Sequence, residues 1–505
     1  MFLGIDVGTG GTRALVMDDS GRVVASATGN HEPFRSPQTG WAEQDPHDWW
    51  RAAQEAISQV IRGGIDPASI ACIGLTGQMH GAVLLDERKA VLRPALIWCD
   101  QRSERECEEI TSKIGAGRLI ELTCNPALTN FTLTKLLWVR NHEPEHWKKF
   151  RLFLLPKDYV RMMLTSECVT DVADASGTLL LDVANRRWSK PVCDAMGISE
   201  SCLPRLAESP EVVGRITQEA ANITGLKIGT PVVAGAGDQA AGAVGVGIAR
   251  PGAVSATIGT SGVVFAATDR PALDPRGRIH TFCHAIPGRW HVMGVTQAAG
   301  LSLRWFRDLL AMPSISGDDA YRKLSEEAAA VPAGADGVLW APYLMGERTP
   351  HLDPQARAAL VGLAANHGRG HIARAIMEGV AFSLRDTFSI FSEMGLPMNR
   401  LRLGGGGARS NLWRQIQADV YGMPAEIVTA EEGAAYGAAI LAGVGAGAWP
   451  NVDAACDALV KVASTTNPDA STTKLMSQRY EQFRRVYPAT ASIYGRSSLP
   501  TTKSA

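Results

Sequence analysis

The sequence predicts an α/β protein of two half-molecules closing on one cleft, and three observations carry that prediction. An apolar strand enters a Gly-Thr turn at Ile5-Asp6-Val7-Gly8-Thr9-Gly10-Gly11-Thr12, and the same pattern recurs at Thr257-Ile258-Gly259-Thr260-Ser261-Gly262. Gly8 and Gly259, Thr9 and Thr260, Gly11 and Gly262, and Asp18 and Asp269 each stand 251 residues apart, half of the 505-residue chain. A chain of this length also exceeds the ~250–300 residues at which a single hydrophobic core stops growing. Finally, strands precede and follow helices in the order of an α/β fold. The expected domains are 1–248 and 249–495, divided at the turn Ala249-Arg250-Pro251-Gly252, with a frayed Ser/Thr-rich tail over 496–505.

The elements follow in order. Residues 2–7 and 13–17 are apolar runs split by glycines, Asp18-Asp19-Ser20-Gly21 makes a second turn, and Val23–Ala25 follows, which reads as a β-meander. Asp45-Pro46 opens a helix within Trp41–Ile61, where Trp49, Ala52, Ile57 and Val60 recur at helical spacing. Buried strands are expected over Ile70–Thr76, Ala82–Leu85 and Arg93–Trp98. Helices dominate 102–230, among them Leu133–Asn141 and Lys157–Leu164, with turns over 165–190. Strand Val232–Ala236 leads through Gly237-Asp238 into an Ala/Gly-rich helix, Gln239–Val246. The second half repeats the style, with strands near 254–267, helices Ser302–Leu310 and Ile372–Phe391, and strand Leu401–Leu403 running into four glycines and a helix over Leu412–Tyr421.

Composition excludes several classes. Lys+Arg 50 against Asp+Glu 51 gives no basic field for a nucleic acid. No apolar run approaches the ~20 residues of a membrane span, and the first residues lack the basic region of a secretory signal, so no membrane partner and a cytoplasmic location are expected. Nine cysteines, an odd number without a Cys-x-x-Cys pair, point to reduced thiols.

The glycine turns are the first candidates for chemistry. Each exposes backbone N–H groups, and the run Gly404-Gly405-Gly406-Gly407 between a strand and a helix lays bare backbone against a ligand, with Ser410 as the N-cap of that helix. A helix–strand packing turn needs fewer glycines. Neither a Walker A lysine motif nor a strand-borne G-x-G-x-x-G with its acidic partner is present. Asp6, one residue before the turn, suits Mg²⁺ held through its waters, or else is a turn aspartate bonding its own backbone. Asp238, between a strand and a helix of small residues, is either a general base for an alcohol or a helix N-cap. His80 in Gly77-Gln78-Met79-His80-Gly81 is a ligand contact at a strand end or a satisfied structural histidine. Trp98, Asp100 and Arg102 alternate and would share one face, binding hydroxyls or pairing with each other. His280, Cys283 and His284 lack a fourth ligand at zinc spacing.

With Trp41-Ala42-Glu43-Gln44-Asp45-Pro46, Trp98-Cys99-Asp100-Gln101-Arg102, Thr134-Lys135-Leu136-Leu137-Trp138, Leu155-Pro156-Lys157-Asp158-Tyr159, Gly346-Glu347-Arg348-Thr349-Pro350 and Met377-Glu378-Gly379, these motifs make a chain that resembles the FGGY family of carbohydrate kinases along nearly its whole length. The resemblance implies an actin-like (ribonuclease H-like) two-domain fold and phosphorylation of a sugar or polyol by ATP with Mg²⁺. It implies Asp238 as catalytic base and Asp6 near the metal. It places Gln78, Met79, His80, Asp100, Arg102 and Gln239 at the sugar, Gly8, Thr9, Gly10, Gly11, Thr12, Arg13, Gly259, Thr260 and Ser261 at the phosphates, and Gly405, Gly406, Gly407 and Asn411 around adenosine. It also suggests a homodimer. Two positions depart from the family pattern: Gln239 stands where asparagine is common, and Arg13 where lysine is common. Ribulose, arabitol, gluconate and glycerol are therefore alternative acceptors, and an ATP-binding switch of the same fold without sugar chemistry is the alternative of another class.

Overall fold

The computed structural model describes residues 1–310, 317–429 and 433–494; the tail expected at 496–505 lies outside them. Two seven-stranded mixed sheets among the described residues share one plan. In the first, Phe2–Val7 pairs antiparallel with Gly11–Met17, which pairs antiparallel with Val23–Asn30. On its other edge Phe2–Val7 runs parallel to Cys72–Gly77, which runs parallel to Pro231–Val233 and Ala236–Gly237. The second sheet repeats this: Gly252–Ile258, Gly262–Thr268 and Trp290–Thr296 form the meander, and Met398–Gly405 and Ala425–Val428 supply the parallel strands. The repeated turn of the sequence is thus a repeated sheet. In both copies the meander turn and the ends of the parallel strands open at the same edge, which is where an α/β sheet presents ligand contacts.

The strand Phe2–Val7 is buried along its length because it is central to its sheet and covered on both faces. One cover comes from far along the chain. Helix Gly433–Gly445 lies so close that a Cβ on Gly4 would stand 2.0 Å from the Ala435 carbonyl oxygen. The same helix crosses Asp238–Gly245, where a Cβ on Gly437 would stand 1.8 Å from the Ala241 carbonyl oxygen. Small residues at the crossing let the two backbones touch. The helix that begins with Asp238 is therefore held from the C-terminal half of the chain.

Several elements differ from the sequence reading. The first long helix is Pro46–Arg62, capped by Asp45, which accepts from the His47 N–H; Glu43–Gln44 before it is a short strand paired with Ala95–Leu96. That pairing shortens the strand expected at 93–98, and the chain turns at once, with the Asp100 N–H donating to the Ile97 carbonyl. The expected turns of 165–190 contain strand Val169–Asp171 and helix Val172–Ala175.

His280, His284 and His291 lie buried where strands His280–Cys283 and Trp290–Thr296 pair. The His291 ring stacks on Phe265 at 4.2 Å, and neither of its nitrogens has a hydrogen-bond partner. Burial, then the neighbouring histidines, hold its pKa well below the usual value of 6.5. The unfolded chain takes up a proton there as pH falls through ~6.5 and the folded chain refuses it, so this position subtracts stability with acidification. His291→Phe is expected to change the melting temperature little at pH 8 and to gain on wild type progressively from pH ~6.5 to ~5. Parallel melting curves would contradict this.

Candidate active site

Three glycine-rich turns line one edge of the paired sheets. In the first, the Gly8 N–H donates to the Gly11 carbonyl at 3.0 Å; in the second, the Gly259 N–H donates to the Ser261 carbonyl at 2.9 Å, a tighter loop by one residue. Side chains brace the first: Gln44 Nε2 donates to the Thr9 carbonyl at 2.8 Å, Trp98 Nε1 to Thr9 Oγ1 at 3.0 Å, and Gln78 Nε2 to the Gly8 carbonyl at 3.3 Å and to Gln44 Oε1 at 2.8 Å. Gln78, expected among the sugar contacts, spends its amide on this turn. Gln78→Ala is expected to raise KM for ATP about 10-fold and leave that for the sugar alone, since a loosened turn misplaces the phosphates. The reverse pattern would return Gln78 to the sugar.

The second turn is clasped by the start of helix Gly300–Leu309, whose Gly300 N–H donates to the Gly259 carbonyl at 2.8 Å. Strand Met398–Gly405 ends in a tight turn over Gly406–Ala408, and the Ser410 hydroxyl accepts from the Trp413 N–H at 3.2 Å, capping helix Asn411–Tyr421 as expected. Between these elements opens a cavity of about 760 Å³, lined by Thr260, Arg304, Tyr321, Gly406, Gly407 and Asn411 among others. That volume suits a nucleoside.

Asp6 lies in strand Phe2–Val7 directly opposite Arg13. Its Oδ1 is sealed from solvent with no hydrogen-bond partner, so the backbone-bonded turn aspartate is not what the strand holds. Burial raises its pKa to about 6 against the opposing pull of Arg13. Asp238 is the first residue of its helix rather than the cap, which is Gly237. Burial, then the charge of Asp6, raises its pKa to about 7, while Gln239 N–H groups pull it down. The two carboxylates are thus each made unstable as an anion by burial, and Asp238 also by the charge of Asp6. An orphaned buried oxygen beside a second carboxylate fits Mg²⁺, which keeps waters and takes one or two carboxylates plus phosphates. Among the described residues no group of three or more His, Cys, Asp or Glu forms an all-protein cage.

Met79 and its neighbours, expected at the sugar, surround His80, whose φ of 70° is left-handed, a strained geometry for a residue with a Cβ. Its Nδ1–H donates to the Gly177 carbonyl at 2.7 Å, which leaves Nε2 to accept from Asn130 Nδ2 at 3.2 Å. Burial, then the charge of Lys135, pushes its pKa to about 3, so it is neutral. The Met79 side chain meets Gly237, its Cγ 2.7 Å from where a Cβ would stand, which joins this group to Asp238. Two residues given no site role from sequence, Lys135 of the motif 134–138 and Asn130, complete it. Lys135 Nζ donates to the His80 carbonyl at 3.2 Å and to the Asn130 carbonyl, and Asn130 Oδ1 is buried without a partner. Lys135 sits mid-helix, where spacing alone gave no functional signal.

The Asp100 charge is felt at Lys135 of this group, and Asp100 and Arg102 pair with each other beside it. The turn after Ala95–Leu96 separates them from Trp98, which is 37% exposed, while both of their side chains are buried. Arg102 Nη2 and Asp100 Oδ2 are 2.7 Å apart, Arg102 also bonds Glu43 at 2.7 Å, and its guanidinium lies 3.7 Å from the Trp41 ring. The shared extended face read from their alternation is absent because the chain turns there; mutual pairing is the arrangement found. Beneath the site, Lys157 Nζ contacts Asp158 at 2.6 Å and Asp171 at 2.7 Å, and Arg161 donates to the Ala234 carbonyl, fixing the segment ahead of Asp238.

Paired Gly-Thr turns, a nucleoside-sized cavity and a buried carboxylate, Asp238, next to Met79 are the parts of an ATP-dependent phosphotransferase of the duplicated, actin-like α/β kind. The model of the FGGY family of carbohydrate kinases, N-terminal domain, matches residues 1–245, and that of its C-terminal domain matches 254–446. The chain belongs to this family. It is 38% identical over 492 residues to a xylulose kinase of Bacillus subtilis (strain 168), covering 97% of each chain. A xylulose kinase of Escherichia coli (strain K12) is 38% identical over 488 residues, covering 96% of this chain and 98% of its own. The crystal structure of xylulose kinase from Rhodospirillum rubrum superposes with a TM-score of 0.90 at 32% identity, covering 98% of this chain and all of that one. Among the described residues no helix is long and apolar enough to cross a membrane.

Proposed function

We propose that the protein transfers the γ-phosphoryl group of ATP to D-xylulose, giving D-xylulose 5-phosphate and ADP. The observation that carries this reading is Asp238, a carboxylate whose pKa of about 7 suits a general base, set where the sugar-side residues meet the pocket of Asp6. The ketose lies along Met79 and His80 with its C5 hydroxyl toward Asp238, and Gln239 bonds the neighbouring sugar oxygens. The nucleoside occupies the cavity by Gly406, Gly407 and Asn411, and the phosphates run between the turns at 8–13 and 259–261. Closure of the two halves, divided near residue 249, aligns the γ-phosphate with the hydroxyl and excludes water. Asp238 then accepts the hydroxyl proton while the loop N–H groups stabilise charge on the transferring group. Asp6 would hold Mg²⁺ through its waters, and the ion when bound supplies neutralisation of the phosphate oxygens. The protein works in the cytoplasm, as a homodimer.

A coupled assay of ADP release across D-xylulose, D-ribulose, D-arabitol, gluconate and glycerol tests the acceptor. D-xylulose is expected to give the highest kcat/KM by ~10-fold or more, because buried hydrogen-bonding sites reject acceptors that leave them unpaired. A higher value for any other acceptor would overturn the assignment.

A further inference from the structure

The segment Gly346-Glu347-Arg348-Thr349-Pro350 is pinned with unusual completeness. The Glu347 carboxylate is buried and accepts from the Gln297 N–H at 3.0 Å, the Arg348 N–H at 2.7 Å, Ser383 Oγ at 3.4 Å and the Thr296 hydroxyl. Thr349 extends the strand Trp290–Thr296: its N–H donates to the Val295 carbonyl at 3.0 Å and its hydroxyl accepts from the Val295 N–H at 3.1 Å. So many bonds fix the backbone of Arg348, the residue between them. Its guanidinium, by contrast, has no hydrogen-bond or ion-pair partner among the described residues.

Where this cation points follows from its neighbours. The Val295 side chain, with Phe282 and Met293 of its own half, packs into one apolar cluster with Met79 and Phe131 of the first half. Phe131 in turn lies edge-on to His80 at 5.3 Å and to His280 at 5.5 Å. The charge of Arg348 is felt at His80, Lys135 and His280, depressing the proton affinity of each. Asp6 responds instead to burial and to Arg13, and Asp238 to burial, to the charge of Asp6 and to Gln239. With Thr349 bonded to Val295 beside that apolar cluster, the Arg348 cation therefore lies near the His80 group. Lys135, the other cation there, is already spent on the His80 and Asn130 carbonyls.

We propose that Arg348 is a sugar-binding residue, brought from the second half of the chain to donate hydrogen bonds to the oxygens at the carbonyl end of the ketose. This rests on the acceptor reading above, in which the C5 hydroxyl lies at Asp238 and the C1–C2 end at His80. A guanidinium offers donors only, and a keto oxygen accepts only, so the pair is complementary. The contact also couples sugar binding to closure, because donor and His80 belong to opposite halves.

The test compares Arg348→Ala, Arg348→Gln and Arg348→Lys with wild type in steady-state kinetics, with the melting temperature of each. Arg348→Ala is expected to raise KM for D-xylulose at least ~10-fold while KM for ATP and sugar-independent ATP hydrolysis stay within ~2-fold, with partial recovery in Arg348→Lys. An unchanged sugar KM, or a rise that falls on ATP instead, would overturn the proposal. If the Ala variant does not fold, Arg348→Gln, which keeps the stem and a neutral donor, gives the same reading. Should wild type prefer another acceptor, the acceptor reading fails on that result alone, and the variants are then read with the preferred acceptor, where an unchanged KM still overturns the role of Arg348.

Discussion

Asp238→Asn is expected to lower kcat for sugar phosphorylation by about 10²–10⁴-fold while ADP binding stays at the wild-type level. The asparagine keeps the shape of the side chain and its place at the start of the helix, but it cannot accept the hydroxyl proton. The same substitution is expected to stabilise the fold. Burial raises the Asp238 pKa from 3.8 to about 7, so the folded chain holds a proton that the unfolded chain has already released. A carboxylate with this elevation subtracts stability as pH rises from ~4 to ~7 and subtracts its full amount above that, on the order of 2 kcal/mol after allowing for water in the cleft. Asp238→Asn should therefore melt above wild type at pH 8 and lose that advantage below pH ~4. Lost activity with gained stability separates a base from a structural residue, and a variant both active and unchanged in stability would sink the assignment.

Gly437→Val is expected to destabilise the protein by ~3 kcal/mol or more and to abolish activity in what remains folded. The added Cβ would stand 1.8 Å from the Ala241 carbonyl oxygen, and a backbone atom inside a helix has no rotamer with which to retreat. Relief requires helix Asp238–Gly245 to move, and Asp238 moves with it. Gly117→Ala is the control: nothing lies within 4 Å of its Cβ position in helix Ala116–Thr123, and that variant should gain ~0.5–1 kcal/mol from helix propensity. Equal melting temperatures for the two variants would mean that the helix crossing does not constrain the site.

The duplicated turn was legible because glycine and threonine at a fixed spacing survive in both halves, and the meander around each turn follows from local apolar runs. Register and long-range pairing were less visible. Strands 280–283 and 290–296 carry His and Trp in place of simple alternation, and helix Gly433–Gly445 packs on a sheet more than 400 residues earlier, a contact that no local period encodes. Asp238 and Asp6 could be picked out as polar residues at strand ends, but the effect of the Asp6 charge on Asp238 could not. Gln78 shows the opposite limit: its neighbours suggested a sugar contact, whereas its amide reaches back to Gly8 and Gln44 across the sheet edge. Asp100 and Arg102 read as a face only while the segment was taken as extended.

The most direct measurement is the stoichiometry and position of phosphate transfer, read by ³¹P and ¹³C NMR of a reaction containing the protein, Mg-ATP and D-xylulose. One D-xylulose 5-phosphate should form for each ADP. Release of ADP with inorganic phosphate and no sugar phosphate would contradict phosphoryl transfer to the sugar and leave an ATP-hydrolysing switch in its place.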